Sequence, residues 1–119
     1  MNRIMEFSKS LSHAVRGLKY AIKNERNFQN EMFFGIIVVA AMIYFKVTRP
    51  EMIVLFLVIM GVLIMELLNT IMERVVDILK PRVHPYVRLI KDLMAASVLL
   101  GSVLAVIVGL IIFIPYILK

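Results

Sequence analysis

EMIVLFLVIMGVLIMELLNTIMERVVDIL, residues 51–79, decides the fold. From Met52 to Met65 the stretch is an apolar run, and from Glu66 onward polar residues return at helical spacing as Glu66, Asn69, Thr70, Glu73 and Asp77. At about 100° per residue, Glu66, Asn69, Glu73 and Asp77 fall within an arc of roughly 80° on one helix face. The stretch therefore predicts a single helix that enters a bilayer at its start and carries three carboxylates in line at its end. At about 1.5 Å per residue it exceeds about 40 Å and outruns a hydrocarbon core of about 30 Å. The carboxylate row begins near one membrane interface and climbs out of it. Each charge placed toward the bilayer centre costs about 2.5–3.5 kcal/mol on insertion scales, so such a row requires something that neutralises it. A divalent cation, a protonated state or a basic partner would do so.

The rest of the chain agrees with a small integral membrane protein. Hydrophobic residues make up 61% of 119 residues, and nothing divides residues 1–119 into more than a single domain. With no cysteine, disulfides, thiolate catalysis and Cys-based metal sites are excluded. The N-terminus stays polar and charged through Asn30, which is not the pattern of a signal peptide. A net charge of +6 would suit nucleic acid, but the bases are distributed as in a membrane protein. Arg3, Lys9, Arg16, Lys19, Lys23 and Arg26 precede the first span, and Arg74, Lys80, Arg82, Arg88 and Lys91 surround the second loop. By the positive-inside rule the N-terminus and the second loop face the cytoplasm while the first loop and the C-terminus face outward, which requires three spans.

The expected architecture is an all-α membrane protein with an N-terminal amphipathic surface helix and three transmembrane helices. Residues 5–23 place Phe7, Leu11, Ala14, Val15, Leu18 and Ile22 on one stripe and Lys9, Arg16, Lys19 and Lys23 opposite, as a helix in the headgroup plane does. Asn24 to Glu31 reads as a polar connector, and the spans are placed at about residues 32–48, 51–79 and 86–117. Lys46, Thr48, Arg49 and Pro50 make a tight turn, and Pro81 and Pro85 leave Arg82, Val83 and His84 in a loop. Three spans offer few walls for a site, so an oligomer is expected. Ala95, Ala96, Ser97, Gly101 and Ser102 give the third span small surfaces for close helix contact.

No phosphate loop, Gly-x-Gly-x-x-Gly, His-Glu-x-x-His or serine elbow is present. The predicted cytoplasmic edge gathers the acids of the second span with Glu25, Glu31, Lys91 and Asp92. Hard oxygen ligands of this kind suit Mg²⁺, which takes one or two carboxylates plus substrate phosphates, and Lys91 suits phosphate oxygens as a point charge.

Glu66-Leu-Leu-Asn69-Thr70-Ile-Met-Glu73-Arg-Val-Val-Asp77, followed by Lys91-Asp92-Leu-Met-Ala95-Ala96-Ser97-Val98, resembles the signature of the small prokaryotic membrane kinases of diacylglycerol and undecaprenol. Asn24-Glu25-Arg26-Asn27-Phe28-Gln29 matches as well, and the resemblance covers nearly the whole chain. It implies a homotrimer with sites between subunits, transferring the γ-phosphate of ATP to a lipid hydroxyl at the inner membrane face. By that resemblance Glu66 is the catalytic base, and Glu25 and Glu73 hold Mg²⁺. The nucleotide falls to His13, Asn69, Glu73, Asp77, Arg82, His84, Lys91 and Asp92. The lipid falls to Phe28, Asn30, Glu31, Glu66 and Ala95. Glu25-Arg26-Asn27-Phe28-Gln29, His13 and Val83-His84-Pro85 look more like the undecaprenol branch than the diacylglycerol branch.

Ile71-Met72 and Leu93-Met94 depart from the family pattern, and bulk at Met94 would crowd a nucleotide or a helix neighbour. The residues leave other functions open. A small oligomeric cation or proton channel ringed by Glu66 would explain that residue but not the cluster from Asn69 to Asp92. A membrane subunit that has lost catalysis would explain the departures. Singly, Glu66 reads as a protonated structural acid, His84 as a turn residue and His13 as a headgroup contact.

Overall fold

The computed structural model of the chain describes residues 2–79 and 84–119, the side chain of His84 excepted. Helices form α1 Arg3–Asn24, α2 Arg26–Phe45, α3 Arg49–Leu79 and α4 His84–Ile117. The last three are long and apolar enough to cross a membrane. α3 and α4 form the most extensive pair, α2 packs on α3, and α1 rests against α2.

Each start and stop has a local cause. Asn2 caps α1 by accepting the Ile4 N–H on its side-chain oxygen at 2.9 Å. α1 and α2 are separated by Glu25 alone, extended at φ −105° and ψ 106°. The polar connector expected over Asn24–Glu31 is thus corrected to a break of one residue, and the helix of the first span begins at Arg26 rather than Met32. The break is fastened by Gln29, whose Nε2 donates to the Ile22 carbonyl at 2.8 Å and satisfies an orphan acceptor at the end of α1.

At the opposite end Lys46 closes α2 in the left-handed conformation, φ 52°. Thr48 and Glu51 then form a capping box on α3. The Thr48 N–H donates to Glu51 Oε1 at 2.9 Å and the Glu51 N–H to Thr48 Oγ1 at 3.4 Å. Arg49 and Pro50 therefore belong to the helix, not to the turn. Pro50 is tolerated there because first-turn N–H groups have no intrahelical acceptor. His84 likewise opens α4 instead of ending a loop.

The buried core is small. Met42, Val47, Leu55 and Ile112 cluster near the Lys46 turn, flanked by Phe45, Phe113 and Tyr116. The Tyr116 hydroxyl donates to the Glu51 carboxylate and so pins α4 to the start of α3. α2 and α3 come close at Gly35, where a Cβ would lie 3.1 Å from Ile59 Cγ2. Nearer the break, Ala21, Phe28 and Val76 are buried. At 57 × 45 × 22 Å the chain is a thin slab, and most of its large apolar side chains face outward.

Candidate active site

α3 acts as a ruler for the acids. Glu66 is the one buried charged residue among those described, only 5% exposed. Glu73 lies two turns on, about 10 Å along the axis, and both Glu73 and Asp77 are exposed. The expected row is in place on one helix, dry at one end and wet at the other. Thr70 takes no outward part in it, because its hydroxyl donates to the Glu66 carbonyl at 3.1 Å.

Contacts gather the wet end. Asn69 Nδ2 donates to Glu73 Oε1 at 3.2 Å. Lys91 Nζ donates to Asp77 Oδ1 at 3.0 Å and ties the start of α4 to α3. Glu25 is brought in across the fold, with its Oε1 2.8 Å from the NH2 nitrogen of Arg74. The same nitrogen donates to the Tyr20 hydroxyl at 3.0 Å. Arg74 is bonded to Glu25 and lies within electrostatic reach of Glu73, the other expected metal ligand. Among the described residues no group of three or more acids and histidines forms a ready-made metal cage. Two carboxylates are nevertheless the protein share that Mg²⁺ takes when phosphates complete its shell, so the donor set fits.

Glu66 lies within electrostatic reach of Glu31 as well as Glu73. Glu31 stands at one edge of a cleft of about 480 Å³ between α2 and α4, whose walls include Phe34, Val38, Ser102, Leu110 and Phe113. An apolar trough with one carboxylate at its rim, near a buried second one, can hold a hydrocarbon chain and receive its polar end.

Other expected residues are placed differently. Phe28 is 3% exposed and packs inside the fold. Asn30, Asp92 and Ala95 are exposed. His13 is exposed on α1 and, among the described residues, has no hydrogen bond or ion pair to α3 or α4. Arg82 and the side chain of His84 lie outside the described residues. Residues that the sequence reading passed over are Arg74, counted there only as a topological base, and Tyr20. No local signal marks them, since Arg74 is 54 residues from Tyr20 and 49 from Glu25.

The profile of prokaryotic diacylglycerol kinase matches residues 12–113, a range that holds the α3 row, Glu25, Lys91 and Asp92. The chain belongs to the prokaryotic diacylglycerol kinase family. It is therefore a multi-pass membrane protein of a lipid kinase family. Among its relatives the undecaprenol kinase of Bacillus subtilis is 35% identical over 114 residues, 96% of this chain and 93% of that protein. The diacylglycerol kinase of Synechocystis is 36% identical over 89% of this chain, which spans 61% of that protein. That of Haemophilus influenzae is 33% identical over 77% of this chain and 78% of its own.

Proposed function

We propose that this family member transfers the γ-phosphate of ATP to the hydroxyl of undecaprenol, giving undecaprenyl phosphate, at the cytoplasmic face of the prokaryotic inner membrane. The observation that carries the reading is the buried Glu66, set near the Glu31 rim of an apolar cleft and two turns from the exposed Glu73. A lipid alcohol and a nucleotide have opposite solubilities, and this helix offers each its own level. The undecaprenol preference is supported by the undecaprenol kinase relative that this chain matches over nearly its full length. The diacylglycerol kinases support the alternative acceptor, diacylglycerol, with phosphatidic acid as product.

In the proposed reaction the lipid lies in the cleft with its hydroxyl at Glu66. Glu66 takes the hydroxyl proton as the oxygen attacks the γ-phosphorus; the bond from that phosphorus to the bridging oxygen breaks and ADP leaves. Glu25 and Glu73 would hold Mg²⁺, which when bound neutralises phosphate charge in a loose transition state. Asn69 orients Glu73 through its amide, and Lys91, fixed by Asp77, meets the phosphates as a point charge. Asp92, His13, Arg82 and His84 are assigned to the nucleotide, and Asn30 and Ala95 to the lipid.

The thin slab of one copy covers only part of such a site, which supports a homotrimer with sites completed between subunits. Topology follows the bases: N-terminus inside, C-terminus outside.

The test is phosphate transfer from labelled ATP with Mg²⁺ by the purified protein in mild detergent, with undecaprenol and diacylglycerol offered in parallel. Label on undecaprenol above diacylglycerol is expected. The reverse ratio would reassign the acceptor, and no label on either, with the protein folded and oligomeric, would remove the kinase reading in favour of a subunit without catalysis.

A further inference from the structure

We infer that Arg74 is a positioning residue for Glu25, setting the carboxylate that the proposed function gives to the metal; the inference rests on that reading. Glu25 is the one residue outside a helix between α1 and α2, and its side chain makes no cap on α2. The backbone around it is fixed by its own N–H to the Ala21 carbonyl at 3.0 Å and by the Gln29 bond to Ile22. What fixes the side chain is Arg74. One guanidinium nitrogen carries two hydrogens, and they go to Glu25 Oε1 at 2.8 Å and the Tyr20 hydroxyl at 3.0 Å.

Two features make this a positioning contact and not a plain surface ion pair. The guanidinium grips Oε1, leaving Oε2 to face a cation at the same time. The second hydrogen bond, to Tyr20, moors the guanidinium to α1 and opposes its collapse onto Glu73, its neighbour in sequence and within electrostatic reach. Charge alone cannot do both. A lysine at this place keeps the charge but replaces a planar nitrogen, whose two N–H bonds point in fixed directions, with a freely rotating ammonium on a different stem. The Glu25 side chain is 19% exposed while that of Arg74 is 56% exposed, so the carboxylate is held from the solvent side by a removable strap.

The experiment titrates Mn²⁺, with ADP present, into the full-length purified protein and reads free Mn²⁺ by electron paramagnetic resonance, for the unaltered protein, R74M, R74K, Y20F and R74M/Y20F. Groups that orient a metal ligand are worth about 10- to 100-fold in metal affinity, so R74M should weaken Mn²⁺ binding about tenfold. R74K should recover little of it, Y20F should lose less in the same direction, and the double variant should bind as R74M does. In turnover the KM for metal should rise while kcat at saturating metal changes less than about twofold. Unchanged Mn²⁺ binding in a folded R74M, or tighter binding, would overturn the inference. So would full recovery by R74K, which would show that charge suffices. Absence of phosphate transfer by the unaltered protein would instead sink the kinase reading, and the Mn²⁺ titration would still decide Arg74.

Discussion

Glu66→Gln separates the base from the structural acid. The change keeps the size and hydrogen-bonding shape of a side chain that is 5% exposed, so it creates no cavity. It removes a negative charge that lies within reach of Glu31 and Glu73, relieving repulsion at a site poorly reached by water. Stability should therefore hold or rise. Catalysis should not survive: general-base assistance is worth about 10²–10⁴-fold, or about 3–5 kcal/mol in the barrier. The assay is kcat for transfer to undecaprenol from labelled ATP at saturating Mg²⁺, beside thermal unfolding and sizing in the same detergent. Retention of more than about a tenth of the activity would refute the base assignment. Lost activity together with a lowered melting temperature would mean that the carboxylate serves the fold instead.

Four further outcomes follow from the same geometry. Glu73→Gln should raise the metal concentration needed for half-maximal rate, measured by Mg²⁺ titration, because it halves the proposed carboxylate pair. Gly35→Leu should destabilise the α2–α3 contact by about 1–3 kcal/mol in thermal unfolding, since even a Cβ would meet Ile59 at 3.1 Å. Val76→Ala, at a side chain 1% exposed, should cost about 1–2 kcal/mol by the two methyl groups' worth of apolar burial it removes. Thr48→Ala should lose about 1 kcal/mol with the capping box of α3, yet leave the KM for ATP unchanged because the cap is at the far end of that helix.

The apolar helices were legible because hydropathy and helical period are local properties: residues 51–79 fix their own length, face and polar end. The all-helical fold with three long apolar helices follows from such stretches. The break between α1 and α2 was not legible, because Asn24 to Glu31 is polar apart from Phe28 and helix or connector fit it equally. What decides is Gln29 reaching back to Ile22 and Arg74 reaching across from α3, and the second of these pairs residues remote in sequence. Phe28 shows the same limit. The resemblance assigns it to the lipid, and nothing in its polar sequence neighbourhood signals that it is 3% exposed in the fold. The start of α3 is a different case, since Thr48-Arg49-Pro50-Glu51 carries the capping-box pattern in plain sequence and marks the boundary two residues earlier than the proline alone suggested.

The spacing on α3 also explains why the reading favours transfer over conduction. A pore needs its polar residues to share one water-filled path along the membrane, whereas here polarity changes sharply along the helix. Glu66 is buried, Asn69 is half-buried and bonded to Glu73, and Glu73 and Asp77 are exposed. About 10 Å of axial rise thus converts a dry carboxylate into a wet one. The lateral partners divide in the same way: the apolar cleft with Glu31 lies at the dry level, and Arg74, Glu25 and Lys91 lie at the wet one. That division suits two substrates of opposite solubility meeting at one phosphorus, and along α3 it sets the carboxylates at different levels of burial.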